Sequence, residues 1–281
     1  MKRFGLTAVV VFSCLLCRLL SAETAKLTAE EVVSKSLAAI ASPRDRAAVK
    51  YFELTGTVKI STSVVGLDTN GTALLTSEGN KVKFAIKTPS KLYPSDQFVF
   101  DGKDVNVTRV PDGRRSPLGE FMWWQRALLR DGLLGGVLST AWSLYDTKLR
   151  NKAELNYDGL KQVDGINVHV LSYTSKNLDG TTKVKLMFDA VTFRHIRTIY
   201  ELEIRPVAAT GGKVRSGSVD EDYRPAHYTL EETFSDFHQL GSYMLPLHER
   251  LSLITDTGSG NWFIDVTYNN LNGTDLSAVL R

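Results

Sequence analysis

The residues best suited to bind metal or move protons near neutral pH are five histidines, at positions 169, 195, 227, 238 and 248 of a 281-residue chain. None stands at metal-ligand spacing with a second histidine or with an acid. His248-Glu249 lacks the second histidine of a zinc-binding helix and falls in an expected strand. His169 alternates with Val168 and Val170, which predicts a solvent-facing side chain. Carboxylates are plentiful, but neighbours such as Glu231 and Glu232 point to opposite faces of a strand and cannot share a substrate. A hydrolytic pair would have to assemble from distant strands, and the sequence nominates none. No Gly-x-Ser-x-Gly elbow or Ser-x-x-Lys motif is present. Gly211-Gly212-Lys213 and Gly258-Ser259-Gly260 lack the strand and helix flanks of a phosphate cradle and read as turns. The chemistry therefore points to a non-catalytic protein with no metal site and no cofactor.

Both cysteines, Cys14 and Cys17, lie in an N-terminal segment with the pattern of an export signal. Lys2 and Arg3 precede an apolar run from Phe4 to Cys17, and Leu19-Leu20-Ser21-Ala22 supplies a cleavage site, which assigns residues 1–22 to a signal peptide. Removing it leaves no thiol, so neither disulfide nor cysteine chemistry is available to residues 23–281. Val11-Phe12-Ser13-Cys14 faintly resembles a lipobox, so lipid anchoring at Cys14 is the alternative to a periplasmic or secreted soluble chain. The leader carries three of the 34 Lys and Arg residues and none of the 31 acids, so what remains is charge-balanced. That balance argues against a general nucleic-acid surface, and Arg114-Arg115 reads as a solvated turn. No integral membrane segment is expected after cleavage.

Elements that would position a site follow from periodicity. Thr28-Ala29-Glu30-Glu31 is a capping box, after which Val33, Leu37 and Ile40 share a helix face before Pro43. From Tyr51 the period becomes two, through Leu54–Ile60, Lys81–Ile86 and Phe98–Phe100, with hairpin signals at Glu78-Gly79-Asn80 and Asp101-Gly102 leading to Val105–Val107. Ser116-Pro117 starts a second helical segment carrying Phe121, Trp124 and Leu128 toward Gly132. Trp123 lies about 100° around the helix from Trp124, so the two cannot enter one core together. Leu133–Leu138 reads as a short helix or a buried turn. Strands resume at Val168–Leu171, Lys183–Phe188, Ile196–Ile204, Tyr228–Phe237, Leu247–Ile254 and Trp262–Tyr268, and Ala208–Asp222 reads as a loop. The order predicts a mainly β, α+β protein: one large curved antiparallel sheet with helical insertions, in a single domain over 23–281.

Two stretches, Phe188-Asp189-Ala190-Val191-Thr192-Phe193-Arg194-His195-Ile196-Arg197 and Leu230-Glu231-Glu232-Thr233-Phe234-Ser235-Asp236-Phe237 with Gly241-Ser242-Tyr243-Met244-Leu245-Pro246, carry a family resemblance. With the leading helix, they look like the outer-membrane lipoprotein-sorting group related to the periplasmic carrier LolA. The resemblance implies an unclosed half β-barrel with helices on its concave face, used to hold acyl chains or to sense lipoproteins. No residue here matches the arginine that gates the carrier. The expected site is an apolar groove formed by Phe98 and Phe100, plugged by Phe121, Trp124 and Leu128, with lipid or lipoprotein acyl chains as partners. The alternatives are an envelope sensor or interaction module with a filled core, engaging envelope proteins, and an exported hydrolase.

Overall fold

A computed structural model describes residues 27–63, 66–93, 95–108, 115–145, 153–178, 182–204, 226–271 and 274–275. The expected leader, Arg114, Gly211-Gly212-Lys213 and the expected loop over 208–222 lie outside these residues.

Helix α1 (Ala29–Ile40) begins at the expected capping box: the Thr28 hydroxyl accepts from the Glu31 amide, and the Glu31 carboxylate accepts from the Thr28 amide. Pro43 does more than end it. Ser42 caps a second short helix, α2 (Pro43–Ala48), in which Pro43 occupies the first turn, where it sacrifices no hydrogen bond. Five strands follow as a meander: β1 (Tyr51–Thr62), β2 (Leu67–Glu78), β3 (Lys81–Lys87), β4 (Ser95–Phe100) and β5 (Val105–Val107). Next come three helices, α3 (Pro117–Trp124), α4 (Arg126–Arg130) and α5 (Gly136–Tyr145). A second meander then runs through β6 (Ala153–Val163), β7 (Ile166–Ser175), β8 (Thr182–Asp189), β9 (His195–Ile204), β10 (Ala226–Leu240), β11 (Tyr243–Thr255) and β12 (Gly258–Leu271), with the two-residue β13 (Thr274–Asp275) beside β12.

The sheet order is β5-β4-β3-β2-β1-β12-β11-β10-β9-β8-β7-β6, all antiparallel. Each meander is locally paired, and they meet at a single seam where β1 runs beside β12, Val58 opposite Ile264 and Ile60 opposite Trp262. The chain leaves the sheet at one edge, β5, and re-enters at the other, β6. The helices between must therefore cross a whole face, which is why they lie where they do. The sheet stays open, an unclosed half-barrel whose concave face the helices cover. At the free edge the register of β6 shifts at Tyr157/Gly159, with Gly159 at φ +98°. A bulge of this kind twists an edge away from further pairing.

The core lies between this face and the helices, and Val32, Phe52, Ile60, Ile86, Tyr200 and Trp262 in it are fully buried. His169 corrects the sequence expectation: it is buried, its Nδ1 2.9 Å from the Tyr157 hydroxyl and its ring stacked on Phe193 at 4.9 Å. Strand β7 is covered on both faces. Val168 and Val170 join Met187 in a small second cluster, while His169 shares the inner face with Leu171 and Tyr173. Alternation alone identifies a solvent face only where one side of the sheet is bare. No helix among the described residues is long and apolar enough to cross a membrane.

Candidate functional site

The inner face divides into a filled part and an open part. Strand β4 turns Phe98 and Phe100 inward, and both are buried, Phe98 lying 5.8 Å from the Phe84 ring. Above them α3 supplies Phe121, 6.4 Å from the Tyr228 ring, and α4 supplies Leu128; each is completely buried. The four residues thus meet in one core. Trp124 does not. It is 50% exposed, its indole N–H donating to Glu120 at 2.9 Å. The helix expected to run unbroken from Ser116 to Gly132 breaks at Gln125, whose φ and ψ are −106° and 36°, so Phe121 and Leu128 face the core and Trp124 turns away. Trp123 is the tryptophan that packs on the core, with the guanidinium groups of Arg115 and Arg126 over its ring at 3.9 and 4.0 Å. The void left here, bounded by Phe84, Phe98, Leu118 and Met122, measures about 10 Å³.

Side-chain ties hold this filled part shut. The Ser116 hydroxyl caps α3 by accepting from the Gly119 amide at 2.8 Å and donates to the buried Asp96 carboxylate at 2.7 Å. Tyr93 also donates to Asp96, and the Trp262 indole donates to Tyr93 at 3.0 Å. Burial raises the Asp96 carboxyl to about 6. At the turn after α4, Asp131 accepts from Tyr173 at 3.0 Å and from Asn177 at 2.6 Å, both in or beside β7.

The open part is a cavity of about 530 Å³ where α2 and α5 pass the β2–β3 hairpin. Val49, Val82 and Trp142 line it, the Trp142 ring lying 5.1 Å from Phe52, together with Arg46, Lys50 and Arg130. None of the five groove residues expected from sequence lines it. The apolar run Leu133–Leu138 proves to be a turn and the first residues of α5, and Trp142 sits one turn beyond it. Because α5 is buried over most of its circumference, the sequence shows no period that would single out Trp142.

Between the two parts lie paired carboxylates. Period two places Glu232 in phase with Leu230 and Phe234, and Glu249 in phase with Leu251 and Leu253, so both turn inward. Glu249 lies opposite Phe234 and Glu232 opposite Leu251, making the acids diagonal neighbours on adjacent strands. The Tyr200 hydroxyl donates to Glu232 Oε2 at 2.9 Å and the Gly136 amide donates to the same carboxylate, while Glu232 Oε1 has no hydrogen-bond partner among the described residues. Gly136 opens α5 at φ +74°, and a β-carbon there would stand 3.7 Å from Glu249 Oε2. Burial pushes both carboxyls up, and Glu232 raises Glu249 further. Paired acids with raised pKa values suit proton transfer. The adjoining void, which Glu249 lines, measures about 10 Å³, room for about one water. Among the described residues no group of three or more His, Cys, Asp or Glu side chains is placed to hold a metal ion.

No family model matches the chain, and no curated protein does. Several solved structures are similar to it. A LolA superfamily protein from Nitrosomonas europaea is 14% identical, the match covering 86% of this chain and 92% of that one at a TM-score of 0.46. A putative outer membrane lipoprotein-sorting protein domain from Vibrio parahaemolyticus is 15% identical over 88% and 98% of the two chains, with a TM-score of 0.43. A DUF1329 family protein from Desulfovibrio piger is 11% identical over 85% and 91%, also at 0.43. The first of these belongs to the LolA group that the two late stretches of sequence resemble.

Proposed function

We propose that this is a non-catalytic periplasmic binding or carrier protein that holds a lipid or lipoprotein acyl chain against the concave face of its sheet. The supporting observation is the 530 Å³ cavity, whose lining residues Val49 and Val82 belong to the same core that Phe98, Phe100, Phe121 and Leu128 fill. Its volume falls within the roughly 300–1,000 Å³ of small-molecule sites. Each buried methylene contributes about 0.8 kcal/mol, so an apolar chain of modest length binds without a network of hydrogen bonds. A chain longer than the cavity must displace Phe121 and Leu128. Competition between these side chains and the ligand lowers net affinity and gives a route to release.

The test is lipid extraction and native mass spectrometry of protein purified from its own envelope, followed by displacement of a fluorescent fatty acid. Acyl species should co-purify and compete for the dye. Protein that carries no acyl species and shows no competitive displacement would remove the proposal, leaving a filled interaction module.

A further inference from the structure

We infer that Glu232 and Glu249 form a proton-operated latch on the helical cover: while the pair holds a proton it keeps α5 closed on the sheet, and losing that proton frees the helix and speeds acyl-chain exchange at the cavity. This rests on the acyl-binding reading and adds how the cover is released.

The turn that leads into α5 has the form of a hinge. Gly132, Leu134 and Gly136 stand at φ of +78°, +58° and +74°, left-handed backbone that a non-glycine residue such as Leu134 rarely adopts. Two hydrogen bonds run from this turn to the sheet, and they converge on one carboxylate. The Leu134 amide donates to the Tyr200 hydroxyl at 3.3 Å, Tyr200 donates onward to Glu232 at 2.9 Å, and the Gly136 amide donates to Glu232 directly. The helix that starts here carries Ser139, Trp142, Ser143 and Tyr145 to the cavity wall. A shift at its first turn is therefore felt at the cavity.

Charge decides which position the hinge takes. Glu232 is completely buried, and Glu249, its diagonal neighbour, nearly so. With one proton between them the pair carries a single negative charge, and the Tyr200 and Gly136 donors face it. Without that proton a second negative charge enters the same buried site, where Glu232 Oε1 has no hydrogen-bond partner among the described residues. Swinging the turn outward admits water to both carboxylates and relieves that repulsion. Burial holds both carboxyls above the usual carboxylate range, and Glu232 raises Glu249 further. The closed cover is thus favoured at low pH and is lost as pH rises through the raised values. Other titratable groups near the pair do not follow it among the described residues. Burial keeps the Tyr200 and Tyr268 hydroxyls protonated and lowers His195 to about 4, so it stays neutral. Asp131, at the head of the turn, is tied to Tyr173 and Asn177, and Asp96, at about 6, belongs to the cap of α3.

The experiment loads the delipidated full chain with an uncharged fluorescent acyl probe, a labelled monoacylglycerol, so that the ligand itself does not titrate. Dissociation into excess unlabelled monoacylglycerol is followed from about pH 5.5 to 8.5, alongside amide hydrogen exchange over residues 132–145 corrected for its intrinsic rate. The probe should leave about tenfold faster at the upper end, and protection at the start of α5 should fall with it. Glu249→Gln removes one titrating group and keeps its shape, so its rate should stay near the wild-type low-pH value throughout. A wild-type rate that does not change with pH overturns the latch, and so does a dependence that persists in Glu249→Gln, which would belong to another group such as Asp96. If that variant does not fold, wild-type exchange decides: protection that is constant with pH, or lost evenly over all the helices, overturns the latch. A probe that never binds removes the acyl-binding reading, whereas pH-dependent protection confined to 132–145 still upholds the hinge and its carboxylates.

Discussion

The two halves of the helical layer solve the same problem differently. Over β4 and β5, α3 and α4 lie on Phe84, Phe98 and Phe100 and are tied by Asp96 and Asp131 to strands or residues beside them, leaving about 10 Å³. Over the β2–β3 hairpin, α5 is fastened to the sheet at its start and otherwise to the turn that precedes it. The Gly136 amide reaches Glu232, while Ser139 and Ser143 bond back to the carbonyls of Gly132 and Asp131 in the preceding turn. Its last turn, from Trp142 to Tyr145, borders about 530 Å³ of open space. Among the described residues, side-chain bonds to the sheet thus coincide with close packing, and the end of the layer without them is where the cavity remains.

The contrast can be broken most forcefully from the filled side. Phe121→Ala should cost about 3–5 kcal/mol in urea unfolding, since a completely buried ring is lost and its neighbours are fixed. The carboxylates at the boundary should act next. Their folded pKa values lie above the unfolded ones, so the folded state prefers the protonated form. Their contribution is fully present below the usual carboxylate range near 4.3 and is lost as pH rises through the folded values. Unfolding titrations from pH 4 upward should show that decline, on the order of 2 kcal/mol. Glu249→Gln should flatten it.

On the open side Trp142→Ala should cost only about 1–2 kcal/mol, because the ring is half-buried and already borders space. It should weaken displacement of the acyl probe more than it lowers the urea midpoint. Trp124→Ala should shift stability by less than about 0.5 kcal/mol, its ring being exposed. A larger loss would mean that Trp124 does belong to the plug.

Much of this was legible in the sequence, and the misses have physical causes. The capping box at Thr28, the hairpin at Gly79 and the inward turn of Phe98 and Phe100 all follow from local rules. Strands β2 and β6 carry weaker signals: β2 is polar up to Thr72, and β6 is an edge strand with little buried surface. The break at Gln125 has no glycine or proline to announce it. Glu232 and Glu249 each sat at an inward-phase position, but only the β10–β11 register brings them together. The cavity depends on α2, the β2–β3 hairpin, the end of α4 and α5 meeting from separate parts of the chain, which no local pattern encodes.

The single seam between β1 and β12 governs when this molecule becomes whole. Neighbouring strands within each meander are close in sequence, β9 and β10 being the furthest apart with residues 205–225 between them, whereas β1 waits for a partner more than 200 positions later, as Thr57 and Asp265 illustrate. Loop closure of that length is a late and slow contact. A chain synthesised from its N-terminus therefore holds half a sheet with an unpaired β1 edge until its final strands emerge. During that interval the apolar inner face has neither its full sheet nor a settled helical cover, and it is then that the protein most needs protection from aggregation.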